Sequence, residues 1–180
     1  TGTLSRSNHA GVAIESGSDI LIGGNTPASR NVISGNRGNG VRVDAPVSDV
    51  TINSNYIGLN AAGKAAVPNG SEGEDSHGIR LNGGGTRIRI GAAGAGNVIS
   101  GNQGNGIEIF SENLAGAWVK NNNMGLFRYT ASSQAFGAYR HRFMHQQIYI
   151  HNSPIPTSTQ LNLIGWGFGL EPGVGEDSTI

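Results

Sequence analysis

Three observations predict an all-β chain folded as a parallel β-helix of about four to five coils. The six residues Asn31-Val32-Ile33-Ser34-Gly35-Asn36 return letter for letter as Asn97-Val98-Ile99-Ser100-Gly101-Asn102. Short apolar-x-apolar triplets recur in three series that keep one phase, as in strands with one face buried and one exposed. Of 180 residues 30 are glycine and only 13% are charged, which suits many short strands joined by tight turns around a narrow core.

The first strand of each coil follows a glycine. It reads Val12-Ala13-Ile14, Val41-Arg42-Val43, Ile79-Arg80-Leu81 and Ile107-Glu108-Ile109, with Ile148-Tyr149-Ile150 as a weaker fifth member. The second series reads Ile20-Leu21-Ile22, Val50-Thr51-Ile52, Ile88-Arg89-Ile90, Ala117-Trp118-Val119 and Leu161-Asn162-Leu163. The third is headed by asparagine, at Asn31, Asn55, Asn97 and Asn122.

Two kinds of coil alternate. The first and third take long connections from second strand to asparagine, Ile22 to Asn31 and Ile90 to Asn97, whereas Ile52 to Asn55 and Val119 to Asn122 are short. Odd coils then return quickly, Asn36 to Gly40 and Asn102 to Gly106. Even coils return slowly, Asn60 to Gly78 and Phe127 to Gln147, so two loops should project from one side of the stack. Equivalent positions in adjacent coils lie about 4.8 Å apart, so Asn31, Asn55, Asn97 and Asn122 are placed to form a structural ladder of amides. Asparagine also tolerates the left-handed backbone of a sharp corner.

The whole of 1–180 is expected to form a single domain, with repeats clear over 11–126, divergent over 127–165, and an irregular cap or tail over 166–180. Phe136, Tyr139 and Phe143 fall at i, i+3 and i+7, which suits a short amphipathic helix or cap near 130–144. Open solenoid ends expose strand edges, so the chain is expected to be covered by caps, to continue in a longer chain, or to self-associate through coil edges.

Ile22-Gly23-Gly24 before the hexamer, Gly38-Asn39-Gly40-Val41-Arg42-Val43 after it, and then Asn55-Tyr56-Ile57-Gly58-Leu59-Asn60-Ala61-Ala62-Gly63 resemble the parallel β-helix repeats of large bacterial cell-surface and secreted proteins. The resemblance runs from about Gly11 to Leu126. It implies a right-handed, pectate-lyase-like β-helix and an extracellular or cell-surface setting. It brings no activity, because this architecture carries lyases, hydrolases, epimerases, adhesins and inert stalks.

Strand middles should stack on an outer face as the column Ala13, Arg42, Arg80, Glu108, Tyr149. A polysaccharide lyase would use a basic residue to take the proton beside a uronate carboxylate. Arg80, His77, Asp75 and Glu108 are the catalytic candidates for that chemistry, although the lyase family's own catalytic motif is not matched. The preferred reading is an exposed Arg80–Glu108 ion pair worth well under about 1 kcal/mol. Glu72, Glu74 and Asp75 on a Gly-rich loop offer carboxylates for Ca²⁺, but they lack the spacing of known Ca²⁺ loops, so a solvated loop is preferred and no cofactor is expected. His141 and His145 would share one helical face without a third ligand. Asn69-Gly70-Ser71 fits the glycosylation sequon.

The second outer column reads Leu21, Thr51, Arg89, Trp118, Asn162, with Arg87 alongside. A tryptophan beside arginine can stack a sugar ring and bind its polar rim, or pack beneath the 127–144 segment. Trp118, Arg89, Arg42 and Tyr149 are therefore the binding candidates, with a polysaccharide or surface glycan as partner. Twelve basic and twelve acidic residues cancel, so no field draws the chain toward nucleic acid. No window is long and apolar enough for membrane insertion. The start at Thr1 suggests a processed or excised segment. The expected function is a non-catalytic adhesin or scaffold module presenting its flanks and two long loops; the alternatives are a lyase or hydrolase acting on acidic polysaccharide, and a purely structural spacer.

Overall fold

A computed structural model of the chain describes residues 7–71, 76–109 and 117–124, together with the strands at 114–115, 148–150 and 160–161. The first pass of the chain contributes β1 (Val12–Ile14), β2 (Ser18–Gly23) and β3 (Val32–Ile33). The second contributes β4 (Val41–Val43), β5 (Val47–Asn53) and β6 (Tyr56–Ile57), and the third β7 (Ile79–Leu81), β8 (Gly85–Thr86), β9 (Arg89–Ile90) and β10 (Val98–Ile99). The fourth gives β11 (Ile107–Ile109), β12 (Leu114–Ala115), β13 (Trp118–Val119) and β14 (Asn123–Met124), followed by β15 (Ile148–Ile150) and β16 (Gln160–Leu161).

These strands form three parallel sheets. Sheet 1 runs β1-β4-β7-β11-β15 and sheet 3 runs β3-β6-β10-β14. In sheet 2, β5 pairs with β2 on one side and with both β8 and β9 on the other, and β12, β13 and β16 follow. A single 3-10 turn at Pro27–Ser29 is the only helical element among the described residues. The described chain is all-β and repetitive, and compatible with a parallel solenoid.

One apolar core is shared by all three sheets. Sheet 1 sends Val41, Val43, Ile79, Leu81, Ile107 and Ile109 inward, sheet 2 sends Ile52, Ile88, Ile90 and Val119, and sheet 3 sends Ile57, Ile99 and Met124. Because side chains alternate across a strand, a triplet with two apolar ends buries both and presents its middle residue outward. Burying each such Ile or Val contributes about 1.5–3 kcal/mol. Glycine precedes β1, β4 and β7 because the passes approach too closely there for a side chain. A Cβ on Gly78 would lie 2.5 Å from the Gly106 carbonyl oxygen.

Asn31, Asn55, Asn97 and Asn122 form one amide ladder. Each Nδ2 donates to Oδ1 of the next rung, at 3.0, 3.0 and 2.8 Å. The second Nδ2 proton of Asn55, Asn97 and Asn122 reaches the carbonyl of Ile22, Ile52 and Ile90 in the preceding pass. The interior amides Asn55 and Asn97 are thereby saturated. A second ladder was not anticipated from the sequence: Asn36 donates to Asn69 at 2.8 Å, and Asn69 to Asn102 at 2.9 Å. The hexamer is thus bounded by one rung of each ladder. Between them Ile33 and Ile99 point into the core, while Gly35 and Gly101 take left-handed φ values of 75° and 73°.

This corrects the reading of the slow return. Asn60 is not the counterpart of Asn36; its Oδ1 instead accepts Lys64 and Ala65 N–H groups in a local turn. The chain doubles back through an antiparallel Leu59–Ala66 bridge, and the Gly35 N–H donates to the carbonyls of Val67 and Pro68. The inserted hairpin is therefore tied down onto the stack before Asn69 resumes the path. Asn69 is 0% exposed, which removes its side chain from reach as a glycosylation acceptor.

Sheet 2 bends at a stack of non-glycine residues with left-handed backbone, Asp19 (φ 56°), Asp49 (φ 52°) and Arg87 (φ 56°). At the bend Arg87 Nε donates to Asp49 Oδ1 at 2.7 Å, and Nη2 reaches the other carboxylate oxygen. That fork hydrogen bond holds the Asp49 carboxyl below its ordinary range and raises Arg87, against the opposing effect of desolvation. The last strand also differs from expectation. Trp118 faces Gln160 and Val119 faces Leu161, so the column ends on Gln160 rather than Asn162. The segments expected to form a helix near 130–144 and a tail over 166–180 lie outside the described residues, as do Asp75, Glu72, Glu74, His141 and His145.

Candidate functional site

The outer face of sheet 1 is built by register. Ala13 faces Arg42, Arg42 faces Arg80, Arg80 faces Glu108, and Glu108 faces Tyr149. Two arginines side by side repel, and the chain surrounds them with carboxylates. Arg42 Nε lies 2.6 Å from Asp44 Oδ2, out of line for a directed hydrogen bond, and its Nη2 lies 3.8 Å from Glu15 Oε1. Arg80 Nε lies 3.0 Å from Glu108 Oε2.

Glu108 is 5% exposed, so its pair with Arg80 is not the solvated surface bridge expected from its place at a strand middle. What covers it is His77, whose Nε2 lies 2.9 Å from the same Oε2. The His77 backbone N–H donates to Asn39 Oδ1 at 2.7 Å, and its Nδ1 accepts the Asn105 N–H at 3.0 Å. Nδ1 can accept only without a proton, so in this arrangement the ring hydrogen sits on Nε2, close to Glu108 Oε2 but out of line for a directed hydrogen bond. Nδ1 is thereby committed to the backbone. His77 joins the corner stack of Asn39 and Asn105, and it has no lone pair left to act as a base. Of the four catalytic candidates the structure brings together His77, Arg80 and Glu108, as a close cluster of charged and polar groups around one buried carboxylate oxygen.

Beside this cluster lies an open cleft of about 200 Å³ lined by Asn39, Arg42, Asp44, Ser76, Arg80 and Asn82, with His9 at its rim. Asp44 and Asn82 were not singled out in the sequence. Each lies two residues beyond an outward arginine, in Arg42-Val43-Asp44 and Arg80-Leu81-Asn82, so extending the period-2 reading past the strand end would have found them. Asn39 was visible only as part of a turn.

On sheet 2 the outward column is Leu21, Thr51, Arg89, Trp118. Trp118 remains 39% exposed. The Lys120 ammonium sits 4.1 Å from its ring centre and the Arg89 guanidinium 5.4 Å. Such contacts contribute about 0.5–1 kcal/mol each at exposed sites. Trp118 and Arg89 are thus adjacent, while Arg42 stands on another sheet, and Tyr149 is placed only by its backbone register. A third aromatic, Tyr56 on sheet 3, carries the Arg30 guanidinium at 3.9 Å. That pair was missed because Arg30 lies in a connection with no periodic signal.

Among the described residues no three His, Asp or Glu side chains converge as a metal site. Among the same residues no helix is long and apolar enough to cross a membrane. No family model, curated protein or solved structure matches the chain.

Proposed function

We propose that the chain is a right-handed, pectate-lyase-like parallel β-helix module of an extracellular or cell-surface protein, non-catalytic, which binds carbohydrate or protein through its sheet flanks and loops. The observation that carries the non-catalytic part is the state of His77 and Glu108. The imidazole Nδ1 is occupied by the Asn105 N–H, and the buried carboxylate lies against His77 Nε2 and Arg80 Nε. A general base or acid must reach the substrate proton, and these groups are turned into the protein instead. The binding part is supported by a polar cleft on sheet 1 and by the exposed Trp118 with its two cations on sheet 2. Both are carried on short strands locked by the asparagine ladders, which is the rigidity a recognition surface needs.

A glycan-array screen of the full chain, coupled to an assay for release of unsaturated uronates and of reducing ends, tests the proposal. Binding to a defined glycan set without turnover is the expected result. Turnover of any polysaccharide would replace the module by a lyase or hydrolase. Absence of binding to all glycans, with the fold intact by circular dichroism, would remove the carbohydrate part of the proposal and leave protein binding or the spacer reading in its place.

A further inference from the structure

Several polar groups at the sheet 1 cleft are left without partners by the protein. Asn39 is 7% exposed, and its Oδ1 accepts the His77 N–H, yet among the described residues nothing takes its Nδ2 protons. Its neighbour Asn82, exposed just past β7, makes no side-chain hydrogen bond among the described residues. Asp44 touches Arg42 through Oδ2 alone, which leaves Oδ1 open. A buried amide held in a fixed orientation by one bond, with its donors turned to a cavity, is preorganised for a ligand acceptor.

Among the described residues each cation at the cleft is matched by a carboxylate. Arg42 and Arg80 bring two positive charges, Asp44 and Glu108 two negative ones, and Glu15 approaches Arg42 as a third carboxylate. An anionic ligand finds no uncompensated cation there and meets Asp44 at close range. A hydroxyl, by contrast, both donates and accepts, and the cleft offers both kinds of partner within one small space. Its volume of about 200 Å³ lies below the roughly 300–1,000 Å³ of pockets for drug-sized ligands, so it admits one small unit.

We infer that this cleft binds one uncharged sugar unit of a glycan, gripped through its hydroxyls by Asn39, Arg42, Asp44 and Asn82, and that it discriminates against uronic acids. The inference rests on the carbohydrate-binding reading and narrows it to a place and a ligand class. Asp44 accepts from vicinal hydroxyls, the Asn39 and Arg42 donors bind their oxygens, and Asn82 supplies one group of each kind at the rim. The discrimination comes from Asp44, since a carboxylate ligand can only accept.

The test is a nitrogen–proton NMR titration of the full chain with methyl glucoside, methyl galactoside, methyl mannoside and N-acetylglucosamine, against galacturonate and glucuronate. At least one uncharged probe should move the side-chain amides of Asn39 and Asn82, with both uronates weaker by about ten-fold or more, the step that one unfavourable charge contact supplies. Asn82→Ala should lose most of that affinity while keeping the melting temperature, because Asn82 is exposed. Asp44→Asn should narrow the gap between uncharged and acidic sugars. A uronate that binds as tightly as the best uncharged probe overturns the inference. Shifts confined to Trp118 and Arg89 also overturn it, yet leave carbohydrate binding standing at another flank. Silence from every probe together with a blank glycan array overturns both the inference and the reading beneath it.

Discussion

Asn55 donates one side-chain proton to Asn97 Oδ1 at 3.0 Å and the other to the Ile22 carbonyl at 2.9 Å, so a single amide joins three successive passes of the chain. Asn97 Oδ1 also takes the Asn55 backbone N–H at 2.9 Å. Each interior rung therefore makes four side-chain hydrogen bonds to three residues, whereas Asn31 at the N-terminal edge serves only the next pass.

Asn97→Ala should consequently cost far more than Asn31→Ala. The interior change orphans the Asn55 backbone N–H and one Nδ2 proton in a buried setting and takes one of two donors from the Ile52 carbonyl, which keeps the Gly91 N–H. Each unmet buried group costs about 1–3 kcal/mol, so a loss of about 3 kcal/mol is expected. The edge change exposes its leftovers to water and should cost less than about 1 kcal/mol. Urea unfolding of both variants measures the difference. Equal losses would mean that the rungs act independently of their depth in the stack.

Asn60 and Asn69 give a second contrast, because the sequence points to the first and the structure to the second. Asn69→Ala breaks a fully buried rung between Asn36 and Asn102 and should also cost about 3 kcal/mol. Asn60→Ala removes two local turn bonds at a half-buried site and should cost about 1 kcal/mol. Thermal melts decide between them. If the protein is made in a glycosylating host, intact mass should show Asn69 unmodified, since a glycan there is incompatible with the ladder.

The part of the fold that was legible in the sequence is the part set by period-2 alternation and exact repetition. Val41, Val43, Ile79 and Leu81 announce an inward face by their spacing alone, and register then fixes Arg42 against Arg80. The second ladder was hidden because an insertion displaces its middle rung from the expected position to Asn69, and a shift in chain position erases the phase that revealed the first. The Asp19, Asp49 and Arg87 bend left no trace, since left-handed backbone at non-glycine residues depends on tertiary context. Candidate site residues were legible as a column, but the burial of Glu108 was not. It depends on His77, which reaches it from a corner of the neighbouring pass.

Gly94 and Gly101 separate backbone strain from crowding. Both have left-handed φ, 70° and 73°, but a Cβ on Gly94 meets nothing while one on Gly101 would lie 2.7 Å from the Ala66 Cβ. Gly94→Ala should cost about 1–2 kcal/mol, the penalty for a side chain in that conformation. Gly101→Ala should cost more and loosen the 59–67 hairpin, seen as faster amide exchange at Val67, whose N–H donates to Gly58. Identical costs would show that the hairpin yields freely.

The Asp49–Arg87 fork makes a prediction in pH. The Asp49 carboxyl is held below its unfolded value of about 3.9, chiefly by the Arg87 hydrogen bond. A depressed carboxylate contributes stability that is fully present above the unfolded pKa and is lost as pH falls through the folded one. Asp49→Asn should therefore flatten the acid limb of the stability curve below about pH 4 and leave the curve's shape near neutrality unchanged. Denaturant midpoints measured from pH 2 to 7 test this. An acid limb as steep as in the parent chain would assign the proton uptake to other carboxylates.

Glu108 supplies the sharpest separation of structure from chemistry. Its carboxylate is shared by His77 Nε2 and Arg80 Nε at 2.9 and 3.0 Å in a nearly dry position. Removing one member of a buried charge pair costs about 3–5 kcal/mol, because the remaining charge loses its partner without regaining water, and Glu108→Ala should lie in that range. Glu108→Gln keeps the shape and a polar oxygen beside His77 Nε2 and should recover part of the loss. If the cluster is structural, glycan affinity measured on the folded fraction of Glu108→Gln should match the parent protein. A variant that stays folded but changes a measured turnover, with the melting point preserved, would instead return Glu108 to catalysis.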